Sequence, residues 1–248
     1  MAAVFLRLRR AATLLAALAA AASLAGCSGS ATPEAKPSPP TGQYSLDTAP
    51  PAPDSTVRPN PYEFGARIDN PWLPLWVGTR MRYLEHTPGG TRTELVTVTR
   101  RTRMITGVIT TVVRSRATSG GKAVQAGKAY YAQDIDGNVW LFGREESGAP
   151  AASWTAGVDG AKPVIVMPAR PRKGSSYGGA EPAGWAPVTG RSTIVGVGAS
   201  ASVLAGRYRD LVVSTSGSTR SYYAKGVGLV LAESPQGRTE LVKTTLFD

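Results

Sequence analysis

Thr93-Glu-Leu-Val-Thr-Val98 sets the fold class. Its alternating, β-branched composition is that of a half-buried strand. The same signal returns at Val108 to Val113, Leu211-Val-Val213, Leu229-Val-Leu231 and Leu241-Val-Lys-Thr-Thr-Leu-Phe247. Between these runs lie compact turn clusters: Pro88-Gly-Gly90, Ser119-Gly-Gly121, Asp136-Gly137, Gly178-Gly179 and Ser234-Pro-Gln-Gly237. Strands joined by short polar turns, with no helical segments of about 10–15 residues between them, make antiparallel meanders. No amphipathic helix follows Cys27. The chain therefore reads as all-β, with a curved antiparallel sheet or incomplete β-barrel. An internal echo supports a sheet built from two similar halves. Tyr130-Tyr-Ala-Gln-Asp-Ile-Asp-Gly-Asn-Val-Trp-Leu141 resembles Tyr222-Tyr-Ala-Lys-Gly-Val-Gly-Leu-Val-Leu231, and each reads strand, turn, strand.

The chain has 248 residues, with 28 glycines and 19 prolines that disfavour helix interiors. One cysteine and one histidine exclude disulfide frameworks and four-ligand Cys/His zinc sites. The net charge is +11.

Residues 1–26 form a unit: Arg7, Arg9 and Arg10, then an uncharged apolar run from Ala11 to Leu24, then small residues before Cys27. That is the build of a lipoprotein signal peptide, too short for a comfortable membrane span. Leu24-Ala-Gly-Cys27 resembles the lipobox of bacterial lipoproteins. The resemblance implies that Cys27 carries a diacylglyceryl group and begins the mature chain, placing the protein on the cell membrane, lipid-anchored, on its extracytoplasmic side. Loss of three arginines with the leader brings the charge to +8. Residues 27–61 hold the lipidated cysteine and a Pro-rich segment, including Pro50-Pro-Ala-Pro53, that reads as a disordered linker. Residues 62–248 remain for a single β-rich domain.

Several local patterns imitate chemistry. Asp134, Asp136, Asn138 and Glu145 have the spacing of a calcium loop, but its glycine is misplaced: Gly137 falls at position 4, and Val139 at position 6, where the loop needs glycine. A type I′ hairpin turn at Asp136-Gly137 is the simpler reading. Gly174-Ser-Ser-Tyr-Gly178 matches the nucleophile-elbow pattern, yet Gly-Gly-Ala-Glu-Pro follows and the lone His86 precedes it. Gly196-Val-Gly-Ala-Ser-Ala201 lacks the strand–helix context of a dinucleotide site. The carboxylates Asp134, Asp136, Glu145 and Glu146 are not specifically paired. The expectation is accordingly no enzyme, no metal and no cofactor. Arg100-Arg-Thr-Arg103 and Arg114-Ser-Arg116 form a basic region. The compartment argues against nucleic acid and for lipid headgroups or anionic wall polymers.

Pro71-Trp-Leu-Pro-Leu-Trp76 is the most unusual segment, because two prolines forbid a regular helix or central strand. Its tryptophans either plug an open sheet or present a surface for sugar or lipid. Together with this segment, Tyr131-Ala-Gln-Asp-Ile-Asp-Gly-Asn-Val-Trp140, Trp154-Thr-Ala-Gly-Val-Asp-Gly-Ala-Lys-Pro163 and Tyr223-Ala-Lys-Gly-Val-Gly-Leu-Val230 resemble a family of uncharacterised actinobacterial secreted proteins and lipoproteins, over most of residues 67–234. The family implies no activity. The last stretch is also similar to a hairpin of β-rich domains of unknown function and, more loosely, to the open half-barrel of lipoprotein-trafficking carriers.

The functional expectation is a lipid-anchored envelope protein that binds or carries an apolar or lipid ligand without catalysis. Trp72, Trp76, Trp140, Trp154 and Tyr177 are the expected lining, with closed core packing as the competing role of each. The alternative is a wall-glycan-binding or envelope-structural protein, in which basic strands and exposed tryptophans grip wall polymer.

Overall fold

The computed structural model describes residues 59–65, 67–148, 150, 153–178 and 190–245. The signal peptide, Cys27 and all of the linker but its last three residues lie outside the described residues. The described chain starts with a 3-10 turn, Pro61–Glu63, capped by the Asn60 side chain at the Tyr62 amide.

Fourteen strands follow: β1 (Phe64–Gly65), β2 (Arg80–Thr87), β3 (Gly90–Ile105), β4 (Val108–Ser119), β5 (Lys122–Asp134), β6 (Val139–Glu146), β7 (Trp154–Thr155), β8 (Val164–Met167), β9 (Ser176–Tyr177), β10 (Ser192–Val203), β11 (Gly206–Ser216), β12 (Thr219–Ala224), β13 (Gly228–Ser234) and β14 (Gly237–Thr245). All pairings are antiparallel and belong to one open sheet. Two meanders, β2 to β7 and β9 to β14, are joined where β14 pairs with β2; β1 adds to β5 and β8 to β6. The all-β expectation is met by a 14-stranded sheet that is not closed into a barrel.

Both hairpins of the internal echo are present, β5–β6 and β12–β13. Each carries a register shift at its tyrosine pair, between Tyr130 and Tyr131 and between Tyr222 and Tyr223. A bulge of this kind sharpens the local twist of a strand pair.

The turns correct one detail of the sequence reading. At Asp134–Asn138 the Gly137 amide donates to the Asp134 carbonyl at 3.0 Å, and Gly137 alone has a positive φ, of 92°. This is a longer loop with a left-handed glycine, not the expected two-residue type I′ turn. Turns with both central residues at positive φ are instead Thr106-Gly107, at 49° and 85°, joining β3 to β4, and Gly120-Gly121, at 55° and 77°, joining β4 to β5.

Two apolar clusters fill the fold. One gathers Ile105, Val112, Tyr130, Trp140, Phe142, Trp154 and Ile165 with Tyr177, Ile194 and Val212 from the second meander. The other gathers Met81, Tyr83, Val98, Val113, Val139 and Met167 with Leu211, Val230, Leu231 and Leu241. Neighbours Val112 and Val113 fall in different clusters, as do Leu211 and Val212. Successive strand residues face opposite ways, so these strands are covered on both sides. That is why their sequences are continuous apolar runs.

Pro71–Trp76 packs as a plug. Trp72 contacts both clusters, and Leu75 is buried. Asn70, 2% exposed, holds the segment: its Nδ2 donates to the Gly137 and Pro168 carbonyls at 2.8 and 3.2 Å. Its Oδ1 accepts from the Trp72 and Leu73 amides at 2.8 and 3.2 Å.

Candidate functional site: a cation-walled trough

The central strands leave one face open to solvent. In β2 the residues alternate, with Met81 and Tyr83 buried and Arg80 and Arg82 exposed. The register carries this alternation across the sheet. Thr245, Arg80, Thr97, Arg114, Lys128 and Glu145 lie in one cross-strand row over β14, β2, β3, β4, β5 and β6. Lys243, Arg82, Leu95, Arg116 and Ala126 lie in the next. Cations on β14 and β2 thus face cations on β4 and β5, across a floor of Thr93, Leu95, Thr97 and Thr99 on β3.

Two surface recesses, of about 650 and 470 Å³, lie along this floor and share Leu95 and Arg116, making one trough. Among the described residues no ion pair involves Arg82, Arg114, Arg116 or Lys243. The floor ends at a bulge in β3 between Val98 and Thr102, where Thr99 Oγ1 donates to the Val112 carbonyl at 2.7 Å. Arg100 and Arg101, singled out in the sequence, lie on that bulge.

The acidic end of the trough is Glu145. Lys128 Nζ donates to its Oε2 at 2.8 Å, the Tyr130 hydroxyl to Oε1 at 2.5 Å and Arg103 Nη1 to Oε1 at 2.6 Å. The Lys128 bond does most to hold the Glu145 carboxyl down, at about 2, with the Tyr130 hydroxyl next. Burial, more than the neighbouring carboxylate, pushes the Tyr130 hydroxyl up. Arg103 also stacks over the Tyr130 ring at 4.8 Å.

The opposite face of the same strands carries a separate polar group. Glu85 pairs with Arg92, Glu146 with Arg144, and Gln125 Nε2 donates to Glu146 at 2.9 Å. Glu94 lies among them with its carboxyl pushed up, chiefly by burial and then by the charge of Glu85. The sequence reading did not single out Glu94; alternation puts it in phase with Val96 and Val98, but its charged neighbours on other strands appear only with the register.

The five aromatic residues expected to line a ligand site are not brought to one surface. Trp140, Trp154 and Tyr177 are buried in the first cluster, and Trp72 bridges the two clusters. Trp76 is 43% exposed and lines neither recess. Cations and tryptophans, expected to act together on wall polymer, are on different parts of the domain.

The motif readings resolve in the same direction. The Asp134 carboxylate accepts from the Asn138 amide at 2.7 Å, Asn138 Nδ2 at 2.9 Å and Trp140 Nε1 at 2.7 Å, so it is an internal brace of its turn. Among the described residues no group of His, Cys, Asp and Glu is placed to hold a metal ion. His86, half-exposed, stands 3.7 Å from Glu240.

No protein-family model and no curated protein matches the chain. Among solved structures, a chain from Parabacteroides distasonis ATCC 8503 with a provisional lipoprotein name aligns at a TM-score of 0.39 and 12% identity, over 70% of this chain and 98% of that one.

Proposed function

We propose that the protein is a non-catalytic binding protein of the cell envelope, held to the outer leaflet of the cell membrane through diacylated Cys27, whose β domain binds an anionic partner in the trough. The observation that carries this reading is the register that sets Lys243, Arg80 and Arg82 against Arg114, Arg116 and Lys128, with acidic residues at one end. Like charges placed side by side oppose folding. A partner of opposite charge offsets that cost.

The lipobox-like Leu24–Cys27 supports the anchor and the compartment. The resemblance to actinobacterial secreted proteins and lipoproteins agrees with that location and adds no activity. Apolar cargo is the weaker reading, because four of its five expected contacts are part of packed clusters.

The test uses residues 27–248 with Cys27→Ser, so that no acyl chain contributes. At low salt this chain is expected to sediment with isolated envelope fragments and to be released as salt rises. Arg82→Gln with Arg116→Gln is expected to abolish the retention. Wild-type retention that ignores both salt and these substitutions would overturn the reading.

A further inference from the structure

The trough has a direction. Its walls stand on β2 and β4, two strand spacings or about 10 Å apart, and cations repeat within each wall at alternate residues, about 7 Å along the strand. The floor from Thr93 to Thr99 runs about 20 Å parallel to both walls. The cation-bearing positions therefore form two parallel lines, Arg80 and Arg82 on β2 and Arg114 and Arg116 on β4, and not a ring about one point. At the centre of the floor Leu95 is 41% exposed, an apolar strip between two charged rows. No aromatic side chain lines either recess. A surface that sits in a bilayer interface commonly carries Trp or Tyr there.

Resting on the anionic-partner reading above, we infer that the occupant is a linear polymer with negative charge repeated along its backbone, lying along β3. Its charged groups are taken by the β2 and β4 walls, and its uncharged connecting atoms pass over Leu95. Neutralising several backbone charges at once releases their counterions, so binding falls steeply and log-linearly with salt.

The experiment measures binding of residues 27–248, Cys27→Ser, to three probes: long-chain inorganic polyphosphate, orthophosphate, and vesicles of phosphatidylglycerol with phosphatidylcholine. Polyphosphate is expected to bind with a linear negative slope of log affinity on log salt, and to lose more than about tenfold in Arg82→Gln/Arg116→Gln. Arg207→Gln/Arg209→Gln removes the same charge from exposed positions on β11 and is expected to change affinity less than about twofold. Orthophosphate at equal total phosphate is expected not to compete.

Orthophosphate competing as well as the polymer, phosphate for phosphate, would overturn the inference in favour of a small-anion site. Vesicle binding that depends on Arg82 and Arg116 while polyphosphate is ignored would also overturn it, and would leave the anionic-partner reading standing. Absence of binding to all three probes, or equal losses in the two double variants, would overturn both.

Discussion

Lys243 stands directly opposite Arg82 in the β14–β2 ladder. On the same face Arg114 stands directly opposite Lys128. Cross-strand neighbours of like charge repel, so this surface holds unfavourable energy that a structural role alone does not require. Lys243→Thr is therefore expected to stabilise the domain by about 0.2–1 kcal/mol at low salt, with the gain shrinking as salt rises. Urea unfolding at two ionic strengths checks this. A variant less stable than wild type at low salt would contradict it.

Asn70 makes four side-chain hydrogen bonds, all to backbone atoms around the Trp72 plug. Asn70→Ala strands two carbonyls and the Trp72 amide, the Leu73 amide keeping its bond to the Asn70 carbonyl, and is expected to cost about 2–4 kcal/mol. Asn70→Asp keeps the acceptor and loses the donor, and should fall between. The check is thermal unfolding followed by tryptophan fluorescence. Wild-type behaviour of the alanine variant would show that the segment is held by Trp72 and Leu75 alone.

The Glu145 carboxyl is lowered from 4.5 to about 2 in the folded domain. A lowered carboxyl favours the fold above its unfolded value, and that contribution is lost as pH falls from about 4.5 through about 2. The side chain is 40% exposed, so solvent screening makes the contribution small. The unfolding midpoint of Glu145→Gln is expected to lie below wild type at neutral pH and to converge with it towards pH 2. Parallel curves over that window would show that Lys128 and Arg103 do not act through this carboxylate.

Gly237 opens β14 with φ of 153°, and a methyl group there would lie 2.1 Å from the His86 carbonyl oxygen. That is far inside van der Waals contact, at the ladder that joins the two meanders. Gly237→Ala is expected to destabilise by more than about 1 kcal/mol. Gly65→Ala meets nothing within 4 Å and is expected to unfold close to wild type. Equal midpoints for the two variants, from urea titration, would contradict the close approach of β14 to β2.

The strands were legible because alternation and β-branching are local. Thr93 to Val98 already separates a floor face, Thr93, Leu95 and Thr97, from an interior face, Val96 and Val98. The trough was not, because its walls come from distant parts of the chain. Nothing local to Lys243 says that Arg82 will be its neighbour. Arg114-Ser-Arg116 stood out as a cluster, but Arg80 and Arg82, alternating with buried Met81 and Tyr83, look like an ordinary strand edge. The Pro71–Trp76 segment left a plug and a displayed surface both open, because composition cannot choose between them; Asn70 makes it a plug at Trp72 through Pro168, just after β8, and Gly137 in the β5–β6 loop. The Asp136-Gly137 turn was placed correctly but mistyped, since its geometry is set by the carboxylate of Asp134, two positions before Asp136.

The β14–β2 pairing also fixes an order of events. A chain emerging N-terminus first presents β2 early, while the strand that pairs with its free edge is made only at the far end of the domain. Until β14 emerges, the β2 edge carries unpaired amides and carbonyls beside a row of arginines. Positive charge on a waiting edge discourages pairing with the wrong strand or with another copy. The same side chains that form one wall of the trough therefore guard the unfinished sheet, in a topology whose closing contact has a high sequence separation and is correspondingly slow to form.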